Sequence, residues 1–496
     1  MSRRPSRQVL SYDAYRQRVR RYRRIDVLLA VAGVNAHLER VKLGHEPPIA
    51  MPNVTAPFAL AGVARTALIA NNDNRDAGVT YFDLIRMCDA YVNVIESTNG
   101  HETGLDWVRQ VLNQTMYEQS ASQDSIAEHV GRTLVLLHDH AMSVPSAPTE
   151  DDWLGVLGVT LEQFIRLGFA MYSAAVHNRG CIDRATLESE NVARIFAPLD
   201  ATFALDALEK WFAATPAELK SDGAAREVVG AEKQSWNPLF AKPVVSLPNG
   251  LYVVPWPWLL LNRVTPTGLY YIGVDAFGER FPERLGKMFQ NYIGTQLSLL
   301  GQATVIPEIS YGKNGEQTVD FFIIAPEVVV LVEVKASRPV IATRAGQPAG
   351  DEDVANKVGY AMTQIERTRQ LVADEHPALA AIPKDRPMRG LVVTLEPFHF
   401  VNTDLYERIL SRPSIPTIVA SSYELERLVA VLHDGQPDMT LLKALTPDPD
   451  KIVASLAQAI EEHPYLRNPL LQEAWKRFMA PWSASQQSPD SPSTEA

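Results

Sequence analysis

The chain contains little cysteine and no long apolar run. Its 496 residues include only Cys88 and Cys181, so the sequence offers neither a disulfide scaffold nor a cysteine zinc ribbon. No stretch of eighteen apolar residues occurs, and the basic N-terminus is not followed by an apolar core with a cleavage site. We therefore expect a cytoplasmic protein that neither spans a membrane nor is secreted.

Two catalytic motifs are also missing. There is no G-x-x-x-x-G-K-[ST] and no G-x-S-x-G sequence, which argues against a P-loop ATPase and against a serine hydrolase with a nucleophile elbow. The net charge of −11 argues against a protein that coats nucleic acid by bulk electrostatics. An enzyme that acts on nucleic acid needs to be basic only locally.

The length predicts two or three domains. We expect a mostly helical recognition or regulatory domain over residues 1–235, a domain with a β lead-in over 236–435, a helical extension over 436–480 and a disordered tail over 481–496. Nine arginines lie in the first 24 residues. They form either a solvated helix face, which we favour, or a phosphate-contacting arm.

Charged residues interrupt two apolar strand patterns in the second half. Asp320 precedes Phe-Phe-Ile-Ile-Ala, and Glu333 and Lys335 end the run Val-Val-Val-Leu-Val-Glu-Val-Lys. Strand side chains alternate between faces, so Glu333 and Lys335 project the same way. Two carboxylates placed close together need a cation between them, and Mg²⁺ prefers such oxygen ligands. The alternative is a buried Asp-Lys-Glu ion cluster without a metal.

Hydrophobic periodicity and turn residues predict a definite element order around this pattern. A helix over about 282–300 precedes strands over 303–311, 317–325 and 328–336, and a helix over 353–373, a strand over 390–395, a strand over 417–420 and a helix capped by Ser421 follow. This order, helix, three strands, helix, strand, predicts an α/β domain.

The spacing of Asp320, thirteen residues before Glu333-Val334-Lys335, resembles the D…E-x-K signature of the PD-(D/E)XK nuclease superfamily. Val319 replaces the proline that usually precedes the aspartate. The resemblance covers roughly residues 275–431. It implies a restriction endonuclease-like core of the order α-β-β-β-α-β, with Mg²⁺ or Mn²⁺ held by Asp320, Glu333 and the main-chain carbonyl of Val334. Lys335 then orients or deprotonates the attacking water, or stabilises charge on the phosphate.

The resemblance suggests further site residues. Glu308 either adds a carboxylate to the metal site or is an exposed edge residue. Glu279 and Glu283 are the alternative acids on the first helix, since Gln290 replaces the glutamate that some relatives carry there. Gln364 is similar to the helix glutamine that approaches the lysine or the phosphate in related nucleases, and it shares a helix face with Tyr360 and Arg367. Such a face is otherwise a solvent-exposed polar stripe. The candidate phosphate contacts are Arg338, Arg344, Lys357 and Arg367.

These patterns predict a metal-dependent endonuclease that hydrolyses phosphodiester bonds, of DNA rather than RNA because most of the superfamily acts on DNA. A helical region attached to a nuclease domain is similar to the build of bacterial restriction and anti-phage defence effectors. That region would bind a partner protein or form homo-oligomers. The alternative is a catalytically silent protein that keeps the nuclease fold for nucleic-acid binding or assembly.

Overall fold

The structure of the chain is a computed structural model. It describes residues 10–48, 55–71, 73–75, 77–94, 104–119, 125–187, 201–229, 231–233, 235–344, 347–434, 440–446 and 455–486. These residues belong to two compact units. The first unit lies within residues 1–102, 148–272 and 479–496, and the second lies within 103–147 and 273–478.

Helices dominate the first unit. They are Tyr12–Val19, Arg24–Lys42, Pro57–Ala70, Tyr81–Val92, Glu150–Leu157, Leu161–His177, Arg184–Leu187, Ala201–Ala207, Pro216–Ala225 and Trp258–Arg263, and Pro266–Phe277 crosses the boundary between the units. Several helices begin at a capping box, in which a threonine side chain accepts a hydrogen bond from the third helical N–H. Thr215 and Glu218 form the predicted capping box.

A small sheet completes the first unit. Its strands are β1 (Cys181–Asp183), β2 (Ala213–Ala214), β3 (Val244–Ser246) and β4 (Leu251–Val253), in the order β1-β4-β3-β2. Strands β3 and β4 form an antiparallel hairpin at the predicted Asn249-Gly250 turn, where Gly250 has φ +79°. Because β4 pairs with β1, the β lead-in that we assigned to the 236–435 domain is part of the first unit.

The second unit holds a five-stranded sheet and a short hairpin. Strands β5 (Thr304–Pro307), β8 (Phe321–Ile324), β9 (Val329–Lys335), β10 (Met388–Thr394) and β11 (Thr417–Ser421) are ordered β11-β10-β9-β8-β5, and β6 (Ser310–Tyr311) pairs with β7 (Glu316–Gln317). Strands β5, β8 and β9 are antiparallel neighbours, whereas β9, β10 and β11 are parallel. The predicted α/β character is confirmed. The strands predicted over 303–311 and 317–325 are each divided, the first into β5 and β6 and the second into β7 and β8.

The helices of the second unit include two that contact β9, Arg280–Ser298 and Tyr360–Ala373. The others are Leu105–Gln119, Ile126–Leu134, Ile341–Arg344, Pro348–Val354, Ser422–His433, Leu441–Ala444, Leu456–Ala459 and Pro469–Gln486, which extends past residue 478. A π-helical turn, Ala355–Gly359, joins Pro348–Val354 to Tyr360–Ala373. Ser421 caps the helix Ser422–His433 as predicted.

The two central helices pack on opposite faces of the sheet. Leu331 belongs to a core cluster with Met362 and Ile365 of Tyr360–Ala373. Phe321, paired with Val332 across the ladder, lies against Gly294 of Arg280–Ser298. Since adjacent strand residues face opposite ways, Glu333 and Lys335 share the side of Leu331.

Residues 103–147 group with the second unit, although we expected them in the 1–235 domain. One contact between this segment and the rest of the second unit is a buried ion pair, in which the guanidinium of Arg132 donates to both oxygens of Glu426 at 2.7 Å. Tyr292 donates a third hydrogen bond to Glu426, at 2.5 Å.

Helix Pro469–Gln486 continues beyond the predicted start of the tail at residue 481. Residues 487–496, the rest of that predicted tail, lie outside the described residues.

Candidate active site

Strand geometry brings Asp320, Glu333 and Lys335 together. Asp320 immediately precedes β8, and Glu333 and Lys335 lie at the end of the neighbouring strand β9. The ammonium of Lys335 donates a hydrogen bond to Oε1 of Glu333 at 2.6 Å. This contact confirms that the two side chains project to the same face.

Asp320 is held by two donors from different elements. Its Oδ2 accepts a hydrogen bond from the main-chain N–H of Val334 at 2.6 Å, and its Oδ1 accepts one from Nε2 of Gln290 at 2.8 Å. Gln290 lies on helix Arg280–Ser298. This contact was not predicted from the sequence, because Gln290 lacks the charge of the helix glutamate found in some relatives.

Glu333 is buried, with 2% of its surface exposed. One carboxylate oxygen, Oε1, accepts the hydrogen bond from Lys335, but the other, Oε2, has no hydrogen-bond partner. An unsatisfied buried acceptor costs about 1–3 kcal/mol. The site therefore contains a carboxylate oxygen that is available to a ligand.

The ammonium of Lys335 is enclosed on three sides. Besides Glu333, it donates to Oε1 of Gln364 at 2.8 Å, and it lies 5.1 Å from the centre of the Tyr360 ring. Gln364 and Tyr360 are one turn apart on helix Tyr360–Ala373. The predicted position of Gln364 next to the lysine is thus found in the structure.

Burial dominates the electrostatics of the two carboxyl groups. Burial raises the pKa of Asp320 to about 6, with a small further increase from the charge of Glu308, against the opposing effects of the Val334 N–H and Lys335. Burial, and then the charge of Asp320, raise the pKa of Glu333 to about 8, although Lys335 opposes the shift. A bound cation would relieve this destabilisation of the charged forms.

The donor set fits a small divalent cation only in part. Asp320, Glu333 and the carbonyl of Val334 supply oxygens of the kind that Mg²⁺ prefers, and the unpartnered Oε2 of Glu333 supports this fit. Among the described residues, however, no group of three or more histidine, cysteine, aspartate or glutamate side chains is placed to hold a metal. Glu308 is exposed just beyond β5, near enough to affect the pKa of Asp320.

The predicted phosphate-binding residues are largely engaged with carboxylates. Arg344 pairs with Glu396 at 2.7 Å, Lys357 with Asp353 at 2.6 Å, and Arg367 with Glu316 at 3.8 Å. The main-chain carbonyl of Arg338 accepts a hydrogen bond from Lys357. These pairs reduce the positive field that the four residues offer to a phosphate, and their role in binding stays a prediction.

Arginines near the N-terminus show a mixed pattern. Arg16 pairs with Asp13 and Arg24 with Asp73, whereas Arg18 is exposed. Residues 1–9, which hold three of the nine arginines, lie outside the described residues. Both interpretations of the arginine run stay open.

The comparisons with family models and curated proteins assign no role to the site. No protein-family model and no curated protein matches the chain. Within the described ranges, no single helix has the length and apolar composition needed to cross a membrane, and only the bent pair Glu150–Leu157 and Leu161–His177 passes that test when taken together. Fold and site define an α/β protein with a second, largely helical unit.

Proposed function

We propose that the chain is a metal-dependent endonuclease of the PD-(D/E)XK superfamily that hydrolyses phosphodiester bonds, most readily those of DNA. The observation that carries the proposal is the meeting of the buried carboxylate of Glu333 on β9 and the half-buried carboxylate of Asp320, just before β8, beside the ammonium of Lys335. Burying such groups costs free energy of folding, so a functional role explains them better than a structural one.

The architecture around the site supports the proposal. Helix Arg280–Ser298, strands β5, β8 and β9, helix Tyr360–Ala373 and strand β10 occur in this order, with the β6–β7 hairpin and short helices between them. This order is compatible with the α-β-β-β-α-β core that the resemblance implies. Asp320 immediately precedes β8, Glu333 lies on the neighbouring antiparallel strand β9, and Lys335 lies two residues after the glutamate. This is the arrangement that the D…E-x-K resemblance implies.

Mg²⁺ or Mn²⁺ would be held by carboxylate oxygens of Asp320 and Glu333 and by the main-chain carbonyl of Val334. When bound, such an ion lowers the pKa of a water molecule and neutralises charge on the phosphate. Gln290 and the Val334 N–H keep the Asp320 carboxylate oriented. The buried setting excludes competing water from Glu333, whose free oxygen Oε2 faces no protein donor.

Lys335 supplies the fixed positive charge of the site. Glu333 and Gln364 hold its ammonium in place through hydrogen bonds of 2.6 and 2.8 Å. From there the ammonium can stabilise charge that develops on a phosphate oxygen, or orient the attacking water while a proton moves away. Gln364 acts through the lysine and is a positioning residue.

A catalytically silent nucleic-acid-binding or assembly protein is the second candidate. It is favoured by the contacts of Lys335, whose two hydrogen bonds and one ring contact resemble a closed structural cluster. The ion pairs of Arg344, Lys357 and Arg367 point the same way. In such a protein, loss of Lys335 would affect folding and leave no cleavage to measure.

We also propose a cellular setting for this activity. Two cysteines without a disulfide suit a reducing cytoplasm. The helical first unit would select the target, regulate cleavage, or bind a partner protein or another copy of the chain. This build supports a role as a bacterial restriction or anti-phage defence effector, by analogy alone.

The proposal is tested by incubating the full chain with supercoiled DNA, linear DNA, single-stranded DNA and RNA, with Mg²⁺, with Mn²⁺ or with EDTA. We expect metal-dependent cleavage that Asp320→Ala and Lys335→Ala abolish. Lys384→Ala is the control, because Lys384 forms an exposed ion pair with Glu375 in the same unit. Cleavage that continues in either site variant would refute the assignment.

A further inference from the structure

Tyr360 is an exposed aromatic residue at the candidate active site. Its side chain is 59% exposed, and it begins the helix Tyr360–Ala373 directly after the π-helical turn Ala355–Gly359. Its hydroxyl forms no hydrogen bond with any described residue. A large ring left open to solvent beside a buried ion cluster has no evident role in the core.

The ring has one face occupied and stays partly accessible. The ammonium of Lys335 lies over it, 5.1 Å from the ring centre, and Gln364, one turn along the same helix, binds the same ammonium. Because the ammonium lies over one face and 59% of the residue stays exposed, part of the ring is accessible to a ligand. An accessible aromatic ring next to a cation suits a flat ligand carrying a phosphate.

We propose that Tyr360 stacks against a base next to the scissile phosphate, so that the site takes a nucleotide whose base is unpaired. This inference rests on the proposed function. In a duplex both faces of a base are covered by its neighbours, and a protein ring can stack only on a base that is single-stranded, at an end, or turned out of the helix. The preferred substrate is therefore single-stranded DNA or a frayed or flapped end.

The competing explanation is that Tyr360 only holds Lys335 in place. In that case its loss would affect every substrate equally, whether or not a base is present. Stacking instead makes the effect of Tyr360 depend on the base. Replacing a stacked aromatic residue by alanine weakens nucleotide binding roughly tenfold or more, which is large enough to measure.

The test measures binding and cleavage separately. Fluorescence anisotropy with Ca²⁺ gives the affinity of the full chain for a labelled oligothymidylate and for a matched strand that carries abasic residues. The variants are Tyr360→Ala and Tyr360→Phe, with Phe82→Ala as control, since Phe82 is 73% exposed and belongs to the first unit. Initial rates with Mn²⁺ are then compared on single-stranded and duplex DNA.

We expect Tyr360→Ala to weaken oligothymidylate binding about tenfold and to leave binding of the abasic strand unchanged. Tyr360→Phe and Phe82→Ala should bind both like the wild type. Single-stranded cleavage should fall by a similar factor in Tyr360→Ala, with little change on duplex DNA. Equal affinities of wild type and Tyr360→Ala for oligothymidylate, or equal losses on both strands, would overturn the stacking inference. Absence of cleavage by the wild type would refute only the proposed function, because binding is read independently.

Discussion

Lys335 and Glu333 form a hydrogen-bonded ion pair of 2.6 Å within one strand, and this pair leaves the second oxygen of Glu333 without a partner. The pair is unequal in exposure, since the side chain of Lys335 is 26% exposed and that of Glu333 only 2%. The lysine therefore connects a buried carboxylate to the solvent side of the site. A ligand that approaches Lys335 also approaches the unpaired oxygen.

The pH dependence of stability should reveal the buried glutamate. In the folded protein the pKa of Glu333 is raised to about 8 from 4.5, so the folded state keeps a proton that the unfolded state releases. This contribution is fully present below pH 4.5 and is lost as the pH rises through about 8. We expect the melting temperature of Glu333→Gln, measured by calorimetry in EDTA, to rise relative to that of the wild type as the pH increases from 5 to 9.

Asp320 also contributes to the loss of stability as the pH rises, because burial raises its pKa to about 6. Glu283→Gln is a matched control, since Glu283 is exposed on helix Arg280–Ser298. Its melting temperature should follow the wild type at every pH. Parallel curves for wild type and Glu333→Gln would show that Glu333 is already ionised in the folded state.

Metal binding should stabilise the wild type through the same carboxylate. A ligand that binds only the folded state raises stability by about 2.7 kcal/mol at one hundred times its dissociation constant. At pH 8, added Mn²⁺ should raise the melting temperature of the wild type, and it should have a much smaller effect on Glu333→Gln. Equal shifts in the two proteins would place metal binding elsewhere.

Gln290 should tune the affinity for metal. Gln290→Ala removes the donor to Oδ1 of Asp320, and loss of such an orienting partner typically costs 10- to 100-fold in metal affinity. The concentration of Mn²⁺ that gives half-maximal cleavage should therefore rise by about that factor, while the rate at saturation changes less. Asn291→Ala deletes a neighbouring amide whose partner is Ser143 and should leave the titration unchanged. A normal titration for Gln290→Ala would mean that the Val334 N–H alone orients Asp320.

The Arg132–Glu426 pair should be essential to the second unit. Arg132→Ala leaves Glu426 buried without its cation, and such a loss costs about 3–5 kcal/mol. Urea denaturation should show this decrease. Lys384→Ala, which removes an exposed pair, should cost at most about 1 kcal/mol. A small effect of Arg132→Ala would argue that residues 125–147 contribute little to the unit.

The sequence predicted the local part of this structure well. Alternation fixed the common face of Glu333 and Lys335, and helical spacing placed Gln364 one turn from Tyr360, because both periodicities are properties of the backbone. Gln290 was missed as a site residue since its role depends on a contact between a helix and a strand thirty residues apart. The unit boundaries depend on long-range contacts such as Arg132–Glu426 and β1–β4, which no local pattern encodes.

The decisive measurement is cleavage of plasmid DNA as a function of Mn²⁺ concentration, made in parallel on the wild type, Glu333→Gln and Lys335→Ala. Wild-type cleavage should rise with Mn²⁺ and stop on addition of EDTA. Both variants should stay folded and lose at least about 100-fold in rate. Cleavage by Lys335→Ala at the wild-type rate, or wild-type cleavage that persists in EDTA, would contradict the proposed function.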